Sequence, residues 1–106
     1  MGMDRDIEKI IEVLKDSIPD VKIVLFGSRA RGNALKTSDI DIIVVSRVFE
    51  TMHFTDRASY ILKILWKNRA LPKVDIDILC YTPEEFEKKK KEIGIVREAL
   101  SHGIEL

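Results

Sequence analysis

One stretch of the sequence joins residue types that hold phosphate to residue types that hold a metal ion. Between Gly27 and Asp41 the chain reads G-S-R-A-R-G-N-A-L-K-T-S-D-I-D. Glycine lets the backbone approach a ligand closely. A helical turn after it would offer free N–H groups and the Ser28 hydroxyl to a phosphate. Asp39 and Asp41 carry the hard oxygen ligands that Mg²⁺ and Mn²⁺ prefer, so the stretch indicates chemistry on a nucleotide.

A second acidic pair lies in the apolar segment 74–81. Asp75 and Asp77 are separated by one residue, as Asp39 and Asp41 are. Because side chains alternate across a strand, the two carboxylates of each pair share a face. If the two strands are neighbours, three or four carboxylates converge and repel one another unless a divalent cation lies between them. Two such ions could clamp the attacking and leaving oxygens of a phosphoryl displacement.

Hydrophobic periodicity predicts the elements that must position these residues. Residues 4–17 repeat apolar side chains at helical spacing and end at Pro19-Asp20. The remaining predicted elements are strands at 21–26, 39–46 and 74–81, a helical turn at 28–31, and helices at 55–69, from 83 onward and at 95–101. This order predicts an α/β (α+β) fold, in which helices pack on a small mixed sheet of three or slightly more strands.

Local signals predict where two helices begin. Thr55 is the predicted N-cap of the second helix. Thr82 is the predicted N-cap of the third, where Glu85 completes a capping box and Tyr81 with Phe86 forms a hydrophobic staple.

Other conspicuous residues have plainer interpretations. Cys80 lies in an apolar strand and is interpreted as a small core residue. Arg57 is interpreted as a surface residue, with phosphate contact as the alternative. The lysine run 88–91 predicts a solvated helix face, and Trp66 fits either helix packing or a partner-binding face.

Size and composition narrow the class of protein. The 106 residues predict a single domain spanning 1–106, and 45% hydrophobic residues suffice for a core. No apolar run approaches the ~18 residues of a membrane span. The polar N-terminus does not resemble a signal peptide, so we expect a cytoplasmic protein without a membrane partner. Eighteen Lys+Arg balance 18 Asp+Glu, which argues against stable nucleic-acid binding.

The combined motif resembles a known signature. Gly27-Ser28-x-Ala30-Arg31-Gly32, followed by Ser38-Asp39-x-Asp41, resembles that of the DNA polymerase β-like nucleotidyltransferase superfamily, and within it the minimal nucleotidyltransferases (MNT) of prokaryotes. The segment 74–86 also looks like their third strand, so the resemblance covers residues 20 to 105. It implies the nucleotidyltransferase fold.

The resemblance also implies a reaction and a set of residues. An acceptor hydroxyl attacks the α-phosphate of ATP or another NTP, and pyrophosphate leaves, with two Mg²⁺ ions (or Mn²⁺) bound. By this likeness Asp39 and Asp41 hold both ions, and Asp77, with Asp75 as the fallback, holds the ion beside the attacking hydroxyl and helps to deprotonate it. The implied catalytic and metal-binding residues are Asp39, Asp41 and Asp77, and the implied nucleotide-binding residues are Gly27, Ser28, Arg31 and Ser38.

The same likeness implies a partner. Larger members of the superfamily carry acceptor-binding domains, whereas minimal members typically act with a small helical toxin of the HEPN class. The MNT protein is the antitoxin, and some members transfer AMP to a tyrosine of the toxin. Two alternatives stay open: a catalytically silent nucleotide-binding module that neutralises its partner by binding, and a nucleotidyltransferase that acts on a small molecule.

Overall fold

The elements follow the predicted order. The computed structural model describes residues 5–26, 39–92 and 103–106. Its helices and strands are α1 (Arg5–Ser17), β1 (Lys22–Phe26), β2 (Ile40–Val45), a 3₁₀ helix (Arg47–Thr51), α2 (Phe54–Lys67), β3 (Ile76–Tyr81), α3 (Pro83–Lys91) and β4 (Ile104–Glu105). The predicted turn at 28–31 and the helix at 95–101 lie outside the described residues. None of the helices within the described ranges has the length and apolar character needed to cross a bilayer.

The strands form one mixed sheet, as predicted, in the order β3-β2-β1-β4. β1 runs antiparallel to both β2 and β4, and β2 runs parallel to β3. The strands predicted at 39–46 and 74–81 are therefore neighbours, which is the condition for their acidic pairs to approach each other. β4 adds a short fourth strand that the sequence did not predict individually.

Alternation along the strands gives the sheet two different faces. The two-helix face packs against α1 and α2, and its buried strand residues are Ile23, Leu25, Ile40, Ile42, Val44 and Cys80. The carboxylate face carries the alternate residues, among them Val24, Ile43, Val45 and Tyr81, which pack against Phe86 of α3. The larger core lies on the two-helix face, where α1 contributes Ile7, Ile10, Val13 and Leu14 and α2 contributes Ile61 and Leu65.

The 3₁₀ helix was not predicted, and a distant carboxylate holds its start. The Ser46 hydroxyl donates to Asp20 Oδ1 at 2.6 Å, and the Arg47 N–H donates to Asp20 Oδ2 at 2.8 Å. The same hydroxyl oxygen accepts the Val48 N–H at 3.1 Å. The hydrogen bond from Ser46, and after it the one from Arg47, lower the pKa of Asp20. The turn after α1 is thereby fixed to the end of β2.

The two predicted helix starts had different outcomes. The prediction for α2 was wrong: His53 occupies the N-cap position without a side-chain capping bond. Thr55 lies inside the first turn, where its hydroxyl oxygen is 3.3 Å from His53 Nδ1. The capping box of α3 is confirmed, since Glu85 N–H donates to Thr82 Oγ1 at 3.1 Å and Thr82 N–H donates to Glu85 Oε1 at 2.9 Å.

Candidate active site

Three side chains line up across the carboxylate face at one end of the sheet. Phe26 of β1 pairs with Asp41 of β2, and Asp41 pairs with Asp77 of β3. Residues paired in register lie on the same face of a sheet. We call this set the carboxylate row. Periodicity identifies Phe26 only as part of a strand, although its place directly before Gly27 is a usable signal.

Helix α3 leaves this row uncovered because it packs at the opposite end. Phe86 belongs to the cluster that contains Val45 and Tyr81, and these two residues pair across β2 and β3. Val45 is four residues beyond Asp41 on the same strand, so the two lie about 13 Å apart. Asp77 is accordingly exposed, and Asp41 is half-buried.

The Asp77 carboxylate beside Asp41 in the row disfavours the ionisation of Asp41. The pKa of Asp41 is raised, first by partial burial, then by the hydrogen-bonding and charge effects of the Asp77 carboxylate, and last by the charge of Asp39. A carboxylate that must share its surroundings with another carboxylate resists ionisation. A bound cation would remove that cost, so this pair has the chemistry of a site for a hard divalent ion.

The structure brings together a pair of carboxylates rather than a closed cluster. Over the described ranges, no three His, Cys, Asp or Glu side chains form a group that could hold a metal ion. Asp39 is exposed and lies directly before β2. Asp75 is also exposed, and its backbone carbonyl accepts the Ile40 N–H at 2.9 Å. Asp41 and Asp77 are thus the two carboxylates close enough together to act as ligands of one metal ion. Asp39, two residues before Asp41, adds negative charge.

The predicted nucleotide-binding residues belong to the segment that joins β1 to β2. Gly27, Ser28, Arg31 and Ser38 all lie outside the described residues. The described segments on either side of them end at Phe26, which pairs with Asp41, and resume at Asp39.

The interpretation of Arg57 as a surface residue was wrong. Only 6% of Arg57 is exposed, and its Nη1 donates to Glu85 Oε1 at 2.6 Å and to the Cys80 carbonyl at 3.3 Å. The guanidinium also lies 5.8 Å from the centre of the Phe49 ring and 5.4 Å from that of Phe54. These partners come from four separate segments, so sequence spacing alone gave no signal for them. Arg57 is enclosed near Cys80, at the end of the sheet opposite the carboxylate row. Its position therefore does not support contact with a phosphate bound at the carboxylate row.

The remaining predictions concern packing and the surface. Cys80 is a buried free thiol, as predicted, and burial raises its pKa to about 12. The lysine run 88–91 is exposed apart from a half-buried Lys90, which confirms a solvated face. Trp66 is not packed into the core, because 69% of it is exposed.

Comparison with known proteins places this geometry in a family. The sequence model described as Nucleotidyltransferase domain matches residues 7–69. The chain is also 32% identical over 85 residues to the probable protein adenylyltransferase MntA of Haemophilus influenzae strain Rd, covering 79% of this chain and 71% of that protein. The crystal structure of a proposed nucleotidyltransferase, 28% identical, superposes with a TM-score of 0.55 over 80% of this chain and 87% of its own.

More distant structures share the fold alone. A toxin–antitoxin crystal structure with AMP-PNP has a TM-score of 0.60 at 24% identity, covering 96% of this chain and 72% of that one. BolA1 from Arabidopsis thaliana also reaches 0.60, at 19% identity, over 78% of this chain and 98% of its own. Equal fold similarity to differently named proteins cannot identify an activity. The family match and the identity to the Haemophilus protein do so: the chain belongs to the nucleotidyltransferase domain family, and it is a nucleotidyltransferase.

Proposed function

We propose that this chain is a minimal nucleotidyltransferase, a single domain of residues 1–106, that moves AMP from ATP to a hydroxyl of a partner protein. In this proposal it depends on Mg²⁺ and is the antitoxin of a HEPN/MNT toxin–antitoxin pair. The observation that carries the proposal is the carboxylate row, in which Asp41 and Asp77 lie side by side on an uncovered part of the sheet.

The proposed reaction is a substitution at phosphorus. A bond forms between the acceptor oxygen and the α-phosphorus of ATP, the bond from that phosphorus to the bridging oxygen breaks, and pyrophosphate leaves. Asp41, Asp77 and Asp39 would hold Mg²⁺, which when bound stabilises the charge that develops on the phosphate oxygens. Asp77 is the exposed member of the pair. Its carboxylate is therefore the one we assign to meet the acceptor hydroxyl and take its proton.

The phosphate-binding half of the proposal rests on sequence. Gly27, Ser28, Arg31 and Ser38 are assigned to the nucleotide phosphates because of the motif that they form with Asp39 and Asp41. Phe26 supports the assignment, since it is bonded to Gly27 and lies beside Asp41.

The protein acceptor is supported by the comparisons. The Haemophilus relative is described as a probable protein adenylyltransferase, and a structure of the same fold is a toxin–antitoxin complex with AMP-PNP. The class of acceptor and the choice of ATP are transferred from these proteins as part of the proposal.

A labelling experiment tests the proposal. The purified chain is incubated with ATP labelled at the α-phosphate, Mg²⁺ and the product of the neighbouring gene, and label on that product is counted. We expect transfer by the wild type, loss with Asp77→Asn, and near-normal transfer with Asp75→Asn. Asp56→Asn, an exposed carboxylate of α2, is the matched control.

The outcomes separate the alternatives. No label on the partner, with Mg²⁺-ATP binding intact by calorimetry, would replace the enzymatic proposal with a nucleotide-binding module that acts by occlusion. Label on a small hydroxyl compound but not on the protein would indicate a small-molecule transferase. Greater loss with Asp75→Asn than with Asp77→Asn would exchange the roles of these two residues.

A further inference from the structure

Helix α2 carries a second apolar stripe that faces away from the core. Leu62 and Trp66 lie one turn apart on its outer side, and Leu71 follows the helix, with 37%, 69% and 44% of each residue exposed. Together with Ser59 and Lys63 they line an open groove of ≈ 350 Å³. We call this surface the α2 groove. Exposed apolar residues at this spacing, with a tryptophan near the centre, are typical of a surface that binds a partner helix.

The segment that carries the groove is positively charged. Residues 57–74 contain five Lys or Arg and no Asp or Glu, although the whole chain has a net charge of zero. Arg57 is buried and paired with Glu85. The other four, Lys63, Lys67, Arg69 and Lys73, are exposed, and the described part of the chain offers none of them an ion-pair partner.

This charge distribution selects the kind of partner. A second copy would have to place the groove against itself, because the only other large exposed apolar residue in the described ranges is Phe54, at the opposite end of α2. That contact would bring four cations against four cations, which opposes association. A nucleic acid would match the charge, yet its bases could stack only on Trp66 and would leave the two leucines uncovered. A protein helix with an apolar stripe edged by Asp and Glu matches both features.

The groove and the carboxylate row lie at the same end of the molecule. α2 packs on the two-helix face, so the groove and the row belong to different layers. The chain leaves α2 at Lys67, passes Leu71 and enters β3 at Ile76, one residue before Asp77. Among the strands of the described residues β3 lies at the edge of the sheet, so none of them separates the two surfaces on that side.

We propose that the α2 groove is the docking site for the partner protein whose hydroxyl is adenylylated, and that it binds a helical surface edged by carboxylates. This inference rests on the proposed function for the identity of the partner. Docking occurs on α2, whereas Asp41 and Asp77 lie on the other face of the sheet. Binding of the partner and binding of Mg²⁺-ATP should therefore be separable by substitution.

The test is isothermal titration of the full chain with the product of the neighbouring gene. Trp66→Ala is expected to weaken binding about 30-fold, the usual effect of a central interface tryptophan. The double variant Lys63→Glu, Lys67→Glu is expected to weaken it at least about 10-fold and to abolish most of the salt dependence. Lys9→Glu, Lys15→Glu on exposed positions of α1 makes the same charge change and should bind normally. All three variants should bind Mg²⁺-ATP with the affinity of the wild type.

Each other result has a defined meaning. Wild-type affinity in the groove variants, with label still transferred, overturns the docking site and leaves the proposed function intact. Loss of binding in those variants, with no label transferred by the wild type, supports the docking site and rejects the enzymatic proposal. A wild-type dimer in ultracentrifugation that dissociates with Trp66→Ala, or tight binding of a poly-U oligonucleotide that this substitution removes, overturns the choice of partner. If the neighbouring product does not bind the wild type, the inference falls with the proposed partner.

Discussion

Glu85 and Asp41 are two carboxylates near opposite ends of the same sheet, and their pKa values move in opposite directions. Hydrogen bonds from Arg57 are the main cause that lowers the pKa of Glu85, with the Thr82 backbone adding to them. Partial burial and the neighbouring Asp77 raise the pKa of Asp41. We call these regions the Arg57 end and the carboxylate end.

The difference shows which end serves stability and which is left for a ligand. At the Arg57 end, the buried guanidinium is paired with the Glu85 carboxylate of the capping box and lies against two aromatic rings, all within the chain. At the carboxylate end, two negative charges are adjacent, and among the described residues no cation shifts the pKa of Asp41. Sites of chemistry commonly break local rules that the rest of the fold obeys. The contrast therefore supports the carboxylate end as the proposed active site, on grounds other than the sequence motif.

The strongest test of this contrast is Asp41→Asn. We expect the transfer rate to fall about 10²–10³-fold, because several kcal/mol of transition-state stabilisation are lost. The free energy of unfolding without metal should stay the same or rise, since a like-charge repulsion is removed. Labelled transfer and urea unfolding measure the two effects, with Asp56→Asn as the control. A large loss of stability would mean that Asp41 is a structural residue.

The reciprocal substitution at the Arg57 end is Arg57→Met. It removes a buried guanidinium together with its hydrogen bonds and its contacts with two rings, so we expect about 3 kcal/mol less unfolding free energy. Urea unfolding measures the loss. Arg47→Met, at an exposed position, should change it little. Mg²⁺-ATP affinity should be retained in folded protein, and a selective loss of nucleotide binding would show that the two ends are not independent.

Cys80 reports the opening of the Arg57 end. Its thiol is buried with a pKa of about 12, so it should react with a disulfide reagent at pH 8 only when the structure opens. In Arg57→Met this reaction should become faster in proportion to the lost stability, up to about 100-fold. The control is unfolded wild type, which should react at once. Rapid reaction of native wild type would contradict the buried position.

The smallest expected effect is the pH dependence contributed by Glu85. Because its folded pKa lies below its ordinary value of 4.5, its contribution is present above pH 4.5 and is lost as the pH falls through the folded value. The carboxylate is 43% exposed, so we expect at most about 1 kcal/mol. Glu85→Gln keeps a capping residue and should therefore be slightly less stable than wild type at pH 6, and this difference should shrink as the pH falls below 4.5. A difference that persists unchanged at pH 3 would contradict the ionic origin.

Features that depend on neighbours in sequence were the predictable ones. The capping box of α3 needs only Thr82 and Glu85, three residues apart, and it is present. The shared face of Asp39 and Asp41 needs only strand alternation. The position of Arg57 needed Glu85, 28 residues away, and the 3₁₀ helix needed Asp20, 27 residues from Arg47. No local pattern specifies such pairs.

The sequence by itself determined the order of the elements, the two acidic pairs and the motif that resembles the nucleotidyltransferase signature, because these depend on periodicity and spacing. Only the tertiary structure decided that β2 and β3 are parallel neighbours in a register that sets Asp41 beside Asp77. It also decided that α3 covers the other end of that face and that α2 keeps an apolar stripe exposed. Register and layer packing follow from contacts between residues far apart in the chain, whose burial is fixed only when the whole sheet assembles.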